Sequence, residues 1–479
     1  MKTHIVIFTL IVLGIVACED ALIEKPYLIT QENFYNTKTE AEAGIAAVYP
    51  NLRSAFANYY LVTTESSTDI FIARDGWGQI SEFKGLEGGN RSQTEGFWSN
   101  FYRSIRNANI MISSIPNGSE LSDSEKNLYI AEARFLRGFT YFHLVRCYGG
   151  VPLKTEANLS EINVPRSSVD DVYQIIIDDL IFAENNLPDV PPVPGRGSKW
   201  TAKAVLADVY FTLHDNLSAR NKANEIIQSG KFDLVEVRDS MDFYNVYGKD
   251  ASGNTKEEIF YIKYSQQGTW SWPRFLAGIS KADEGGSLLQ GGYWIPTGRL
   301  WLPFYKNWDD NELRKAWNTR IVDFGTSYGS QVVCSKFRDP EYHDGRMDYP
   351  LYGYSDVLLL FAEADCLVEG MPTIEGMEAL NRVHRRAYGY DTKSESPVDF
   401  SLNEYDKEQF LELVLYERGK ETYAEGKRWF DLLRSGKLQE KIKEAYDIDV
   451  QEIHLLWPIP NAEINFNDAI SASDNNPGY

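Results

Sequence analysis

Two sets of side chains in this 479-residue chain have the types and spacing for chemistry, and they lie in different kinds of sequence. The first set is aromatic and sits in glycine-rich stretches. Trp77 stands between Gly76 and Gly78, beside Arg74, Asp75 and Gln79. Trp270 and Trp272 stand near Gln266, Gln267 and Arg274, and Tyr293 and Trp294 follow Gly291-Gly292. A flat ring offers rigid apolar contact at low entropic cost, while amides, carboxylates and guanidiniums satisfy hydroxyls. That combination suits a sugar, which presents apolar C–H faces ringed by hydroxyls, and it binds without cutting. The candidate ligand-binding residues are therefore Arg74, Asp75, Trp77, Trp270, Trp272, Arg274, Tyr293 and Trp294. Each of these tryptophans also has a plain reading as a packing aromatic. Trp98, Trp200, Trp301, Trp429 and Trp457 lie in contexts that favour packing.

The second set is acidic. Glu417, Glu421 and Glu425 recur every four residues and share one helix face. Paired carboxylates can act as acid and base, and glycosidases set two of them about 5 to 9.5 Å apart across a cleft. Here Arg418, Arg428, Asp431 and Arg434 are interleaved with them, which favours ion pairs locking one helix to another. Glu132 and Arg134 read the same way. The sequence carries no phosphate-binding glycine loop, nucleophile elbow or HExxH motif. No catalytic residue, cofactor or metal is expected, and the loop aspartates lack cation-loop spacing.

The leader is informative. Lys2 precedes an apolar run over residues 5–16, too short to span a core of about 30 Å. It ends Ile15-Val16-Ala17-Cys18, which resembles a lipobox: a small residue before the cut and a thiol that takes diacylglycerol. Residues 1–17 are read as a lipoprotein signal peptide and 18–30 as a tether, with Cys18 lipidated. Several acyl chains anchor a protein stably. Cys147, Cys334 and Cys366 form no CxxC pair and read as buried thiols, with one disulfide left open. The net charge of −21 makes nucleic acid a poor partner.

These side chains must be positioned by helices. Ala131, Phe135, Phe139, Phe142 and Val145 mark a strongly apolar helix over residues 125–148, stopped by Gly149-Gly150-Val151-Pro152. Further helices are predicted over 169–187, from 202, from 221, and over 355–368, 374–388, 404–423 and 427–434. Residues 58–91 read as a long irregular loop, of a kind that is usually functional. Helix resumes over 97–115, a short strand is predicted over 258–264, and residues 456–479 read as coil. Paired helices with alanines and aromatics at packing positions predict a mainly α fold, a tetratricopeptide-like helix-pair array (an α-α superhelix) with an irregular loop-rich lobe and a few short strands. The divisions are 31–230, with helix pairs and the first loop; 231–350, the irregular lobe with the second loops; and 351–479, a helical C-terminal part.

Several segments together resemble the SusD/RagB family of Bacteroidetes surface glycan-binding lipoproteins. They are Glu24-Lys25-Pro26 with Asn33-Phe34-Tyr35; Ala131-Glu132-Ala133-Arg134-Phe135-Leu136-Arg137-Gly138, running on to Tyr148-Gly149-Gly150-Val151-Pro152-Leu153; Ala362-Glu363-Ala364; and Leu380-Asn381-Arg382-Val383. Glu425-Gly426-Lys427-Arg428-Trp429-Phe430-Asp431-Leu432, Trp457-Pro458-Ile459-Pro460 and Asn476-Pro477-Gly478-Tyr479 complete the set. Asn475 departs from a common Gln, and His384 interrupts the arginine pattern before Arg385. The resemblance implies four tetratricopeptide-like helix pairs, an outer-membrane location facing outward, a seat on a SusC-like TonB-dependent transporter, and a shallow aromatic glycan site built from loops. It also implies that the protein is not an enzyme. The competing readings are a transporter-associated helical-repeat protein that binds peptides or other nutrients, and a secreted glycosidase.

Overall fold

Apolar residues three and four apart dictate most of the chain, and capping residues set where each helix begins. The computed structural model describes residues 34–57, 59–86, 88–248, 255–264, 296–327, 329–337 and 347–479. Helix α1 (Lys38–Ala46) opens on a capping box between Thr37 and Glu40. Helices α2 (Tyr49–Ala57) and α3 (Tyr60–Glu65) follow, then strand β1 (Ile72–Ala73) and a 3-10 turn over Asp75–Glu82. Next come the long helices α4 (Gly89–Ser114) and α5 (Asp123–Tyr148), then α6 (Val169–Asn186), α7 (Lys199–Thr212) and α8 (Asn216–Gln228). A more irregular region contains α9 (Tyr244–Tyr247), β2 (Glu258–Ile262), β3 (Pro296–Thr297), α10 (Pro303–Lys306), α11 (Leu313–Asn318), β4 (Thr319–Asp323), β5 (Ser330–Cys334) and β6 (Tyr349–Gly353). The chain closes with α12 (Tyr354–Glu369), α13 (Ile374–Ala387), α14 (Lys407–Glu421), α15 (Arg428–Arg434), α16 (Leu438–Tyr446) and α17 (Asn461–Phe466).

Sequential packing makes the array: α4 on α5, α5 on α6, α6 on α7, α7 on α8, α8 on α12, and α12 on α13 and α14. Helix α5 is central. Ala131, Phe135, Phe139 and Phe142 are fully buried, as the stripe requires. Gly138 lets α6 approach, since a Cβ there would lie 3.2 Å from that of Asp179. Arg137 then crosses the contact, donating to Asp179 at 2.7 and 2.9 Å and to Asn109 Oδ1 at 2.7 Å, so α4, α5 and α6 share one buried guanidinium. Among the described residues the strands form three two-stranded antiparallel ribbons, β1–β3, β2–β6 and β4–β5.

The structure departs from the sequence expectations in three places. Residues 60–65 are helix, and all six are buried, so no polar face marks them as helical in the sequence. Helix α4 begins at Gly89, eight residues before the expected start, because glycines that read as loop lie at its N-cap and first turn. Residues 461–466 are helical within the expected coil. Cys147, Cys334 and Cys366 are free and buried.

The C-terminal helices hold the segment that leads into β1. Arg428 donates from Nε and Nη2 to the two oxygens of Asp69, at 2.9 and 2.7 Å, and from Nη1 to the Leu415 carbonyl at 2.8 Å. Both side chains are nearly inaccessible to water. The Gly426 amide donates to Glu65, and its φ of +75° with Leu61 Cδ2 only 2.5 Å from a would-be Cβ makes glycine the residue that fits. Burial pushes the Glu65 carboxyl up to about 8, a rise that the Gly426 amide moderates and the Glu425 charge reinforces.

Two outcomes follow for stability. Arg428→Ala strands a buried carboxylate, so chemical denaturation should register a loss of about 3–5 kcal/mol; a loss under 1 kcal/mol would contradict the clamp. Glu65 holds its proton more tightly when folded, so its contribution is complete below its ordinary pKa of 4.5 and is lost as pH rises through about 8. Glu65→Gln keeps an oxygen for Gly426, and it should melt above the parent at pH 8 with the gap closing towards pH 5. Parallel melting curves across that range would exclude the effect.

Candidate functional site

The short ribbon β1–β3 joins parts of the chain that are far apart in sequence. Ile72 faces Thr297 and Ala73 faces Pro296. Strand β1 leads directly into Arg74 and the turn that carries Trp77, while β3 begins two residues after Trp294 and leads into Arg299 and Trp301. A third segment closes on them. Gly298 pairs with Val332 of β5 through bonds of 2.8 and 3.1 Å, and the Arg74 guanidinium lies 4.5 Å from the Phe324 ring at the β4–β5 turn. The β1–β3 and β4–β5 ribbons, bridged at Gly298 and Val332, therefore gather residues 72–79, 296–301, 319–327 and 329–334.

Tyr446, at the end of α16, supports this ensemble. Its hydroxyl donates to the Thr68 carbonyl at 2.8 Å and reaches the Phe71 carbonyl at 3.2 Å. One face stacks on Phe83, with centroids 5.6 Å apart, and Trp301 meets its ring edge-on at 6.4 Å. Trp301 is 58% exposed, and Leu300 beside it is exposed as well. Arg299 lies beneath: its Nη1 donates to the Thr297 carbonyl at 2.9 Å, to Thr297 Oγ1 at 2.7 Å and to the Gly298 carbonyl at 3.1 Å. Burial draws the Arg299 guanidinium below its ordinary pKa, Tyr446 opposes that fall, and the like charge of Arg74 adds to it.

The sequence candidates fare differently. Trp77 is half-buried, and one face stacks on Tyr59 with centroids 4.5 Å apart, so that face is already occupied. Arg74 is half-buried against Phe324. Asp75 begins the 3-10 turn. Trp270, Trp272, Arg274, Tyr293 and Trp294 lie outside the described residues, as does Cys18. Trp98, Trp200, Trp429 and Trp457 are buried, in keeping with their assignment to packing. Trp301 is a correction: it was expected to pack, yet it stands exposed on the ribbon. Arg299, Phe324 and Tyr446 were missed too. The only signal available was that Arg299-Leu300-Trp301 continues directly from the second aromatic stretch.

A groove of about 350 Å³ lies nearby in the chain, its lining including Phe304 of α10, Ala445 of α16, Tyr405 and Tyr416. The helix carboxylates are elsewhere and already engaged. Glu417 and Glu421 each accept from Arg314 at 2.7 Å, Glu421 also pairs with Arg386, and Glu425 pairs with Lys336 at 2.5 Å. Burial alone would raise the Glu421 carboxyl, but Arg386, Arg314 and Lys336 outweigh it and hold it at about 2. Glu312, His384 and Glu417 offer ligand atoms within 4.8 Å of one another. The Lys420 ammonium sits between the two glutamates, 2.6 Å from Glu312 and 2.8 Å from Glu417, and supplies there the positive charge that a metal would bring. An ionised, buried and fully paired carboxylate is poorly placed to donate or accept a proton.

Comparison with known proteins bears on the family and the fold. A family profile described as starch-binding and associating with the outer membrane matches residues 25–211, and the profile of the SusD family matches residues 247–479. SusD-like protein P2 of Formosa agariphila is 28% identical, with the whole of both chains covered. A solved SusD homolog from Bacteroides thetaiotaomicron superimposes with a TM-score of 0.79 at 23% identity, covering 94% of this chain and 98% of that one. A laminarin-binding SusD-like protein superimposes with a TM-score of 0.69 at 22% identity, covering 93% of this chain and all of the other. The fold is therefore the tetratricopeptide-like helical fold of these structures.

Proposed function

This chain belongs to the SusD family, and from that premise we propose that it captures a glycan at the cell surface and delivers it to a SusC-like TonB-dependent outer-membrane transporter. The observation that carries the glycan part is the exposed tryptophan that follows β3, Trp301, with Arg299 beside it in the chain and Arg74 on the paired strand's side of the same ribbon; Trp77 leaves the ribbon at its other end. Rings supply platforms for sugar C–H faces, and guanidinium N–H groups supply donors for oxygens. Trp301 and Leu300 are exposed, as suits an oligosaccharide or polysaccharide that extends beyond them, and the groove lined by Pro303, Phe304 and Ala445 offers room for further sugar residues. One of the superimposable structures is itself a laminarin-binding protein, which supports a glycan ligand here.

Binding without hydrolysis is the second part of the proposal. Its support is the contrast between aromatics at the surface and helix carboxylates buried in ion pairs. The third part is the anchor. Cys18, after Ile15-Val16-Ala17, receives diacylglycerol and holds the mature chain on the outer membrane, consistent with the outer-membrane association of the family. The stretch that includes Trp270, Trp272, Arg274, Tyr293 and Trp294 ends two residues before β3 and contributes further contacts in this reading.

Calorimetry against the glycans selected on an oligosaccharide array tests the site. Trp301→Ala should weaken binding by about tenfold or more, on the scale of a buried aromatic anchor, and Trp77→Ala by less because Tyr59 already covers one of its faces. Melting temperatures should stay near the parent's. Unchanged affinity in both variants would refute the assignment, and release of shortened products from the bound glycan would refute a purely binding role. Cys18→Ser should abolish incorporation of labelled palmitate and release the chain from the membrane fraction; retention of label would move the anchor elsewhere.

A further inference from the structure

Acidic residues outnumber basic ones in this chain, 69 to 48, and many arginines of the scaffold are matched to carboxylates, though Arg166 is held by carbonyls and an amide. Arg137 has Asp179, Arg314 has Glu417 and Glu421, Arg418 has Asp431, Arg428 has Asp69, and Arg434 has Glu363. Arg299 is an exception among the described residues, since no carboxylate there pairs with it. Among the described residues its side-chain hydrogen bonds run from Nη1 to the backbone and hydroxyl of Thr297 and to the Gly298 carbonyl. Thr297 is fully buried, pairs across the ribbon with Ile72, and donates its own hydroxyl to Gln331 at 2.6 Å. The anchor is therefore rigid. Because the guanidinium is planar, fixing one corner with three acceptors orients the rest. The Nε and Nη2 edge, which makes no hydrogen bond to any described residue, remains as a pre-organised pair of parallel donors.

Such an edge matches a carboxylate or sulfate, which accepts two parallel N–H bonds, better than it matches a lone hydroxyl. Arg74 brings a second positive charge to the same ribbon, close enough to affect the ionisation of Arg299. The net charge of −21 opposes a polyanion at long range, but screening over about 8 Å at physiological ionic strength confines that effect and leaves the local guanidiniums to decide.

Resting on the glycan-binding reading above, we infer that the ligand is an acidic glycan, bearing uronic acid carboxylates or sulfate esters, and that the free edge of Arg299 receives one such group beside the Trp301 platform. The ribbon then recognises charge as well as shape. Trp301 takes the apolar sugar face and Arg299 takes the oxyanion in a side-on pair.

The test uses the full mature chain on an array of neutral, uronic and sulfated oligosaccharides, followed by calorimetry with the best binder and its carboxyl-reduced or desulfated counterpart. The expected result is binding to acid-bearing glycans and at least tenfold weaker binding once the acid is removed, whichever acid it is. Arg299→Gln should lose a similar factor on the acidic form and nothing further on the neutral counterpart, while Arg299→Lys, which keeps the charge but not the fork, should fall between. Preference for neutral glycans, or an acid preference that Arg299→Gln leaves intact, would overturn the inference while leaving the glycan site standing. Binding to no glycan at all would instead refute the reading on which the inference rests. Equal thermal melts of parent and variants separate recognition from folding, and the matched glycan pair on the parent protein decides the matter even if a variant melts early.

Discussion

The bidentate pair between Arg428 and Asp69 lies at the root of the first candidate segment. It is buried, it joins residues 359 apart in sequence, and its third nitrogen reaches α14 through the Leu415 carbonyl. Around it, Gly426 donates to Glu65, and Tyr446 donates to the carbonyls of Thr68 and Phe71. Residues 65–71 are thus strapped to the C-terminal helices at several successive points. Everything that follows, the β1–β3 ribbon, Arg74 and the Trp77 turn, starts from a direction those bonds impose. The N-terminal loop is positioned by a C-terminal floor, so neither half of the chain builds this site alone.

The same logic explains why so many charges are buried. Desolvating an ion pair offsets much of its Coulomb attraction, so a buried pair adds little net stability over a well-packed apolar pair. Removing one partner is costly, however, and that asymmetry penalises misplaced helices. Arg314, with Glu312, Glu417 and Glu421, and Arg386, with Glu257 and Glu421, tie the irregular region to α13 and α14 in this way. The charges hold parts of the scaffold in register and leave the aromatics at the ribbon as the proposed ligand contacts. Glu417, Glu421 and Glu425 share the spacing of catalytic carboxylates, but their partners assign them to the scaffold.

Helix periodicity was legible in the sequence because it is local. The stripe from Ala131 to Val145 and the stop at Gly149 could be read directly, and so could the alternation of carboxylates and arginines around Glu417. The site was only half legible. Loop composition pointed to Arg74, Asp75 and Trp77, but nothing local shows that Trp77 stacks on Tyr59 or that Arg74 lies against Phe324. Strands of two residues carry no alternation, so the pairing of Ile72 with Thr297 leaves no trace in either segment. Trp301 illustrates the limit. Its one ring contact among the described residues comes from Tyr446, on a helix about 145 residues away, and the neighbouring residues read equally well as packing. The run from Tyr60 to Glu65 failed for the opposite reason: it is buried on all sides, and a helix without a polar face has no period to detect.

On the proposed function, three distant segments form one ligand surface around the β1–β3 ribbon. Amide hydrogen exchange followed by mass spectrometry, on the full mature chain with and without a saturating bound oligosaccharide, tests it directly. Exchange should slow in peptides covering residues 72–79, 296–301 and 319–334 together, with α5 and α14 unchanged. Protection confined to other surfaces, or to one of the three segments without the others, would contradict it.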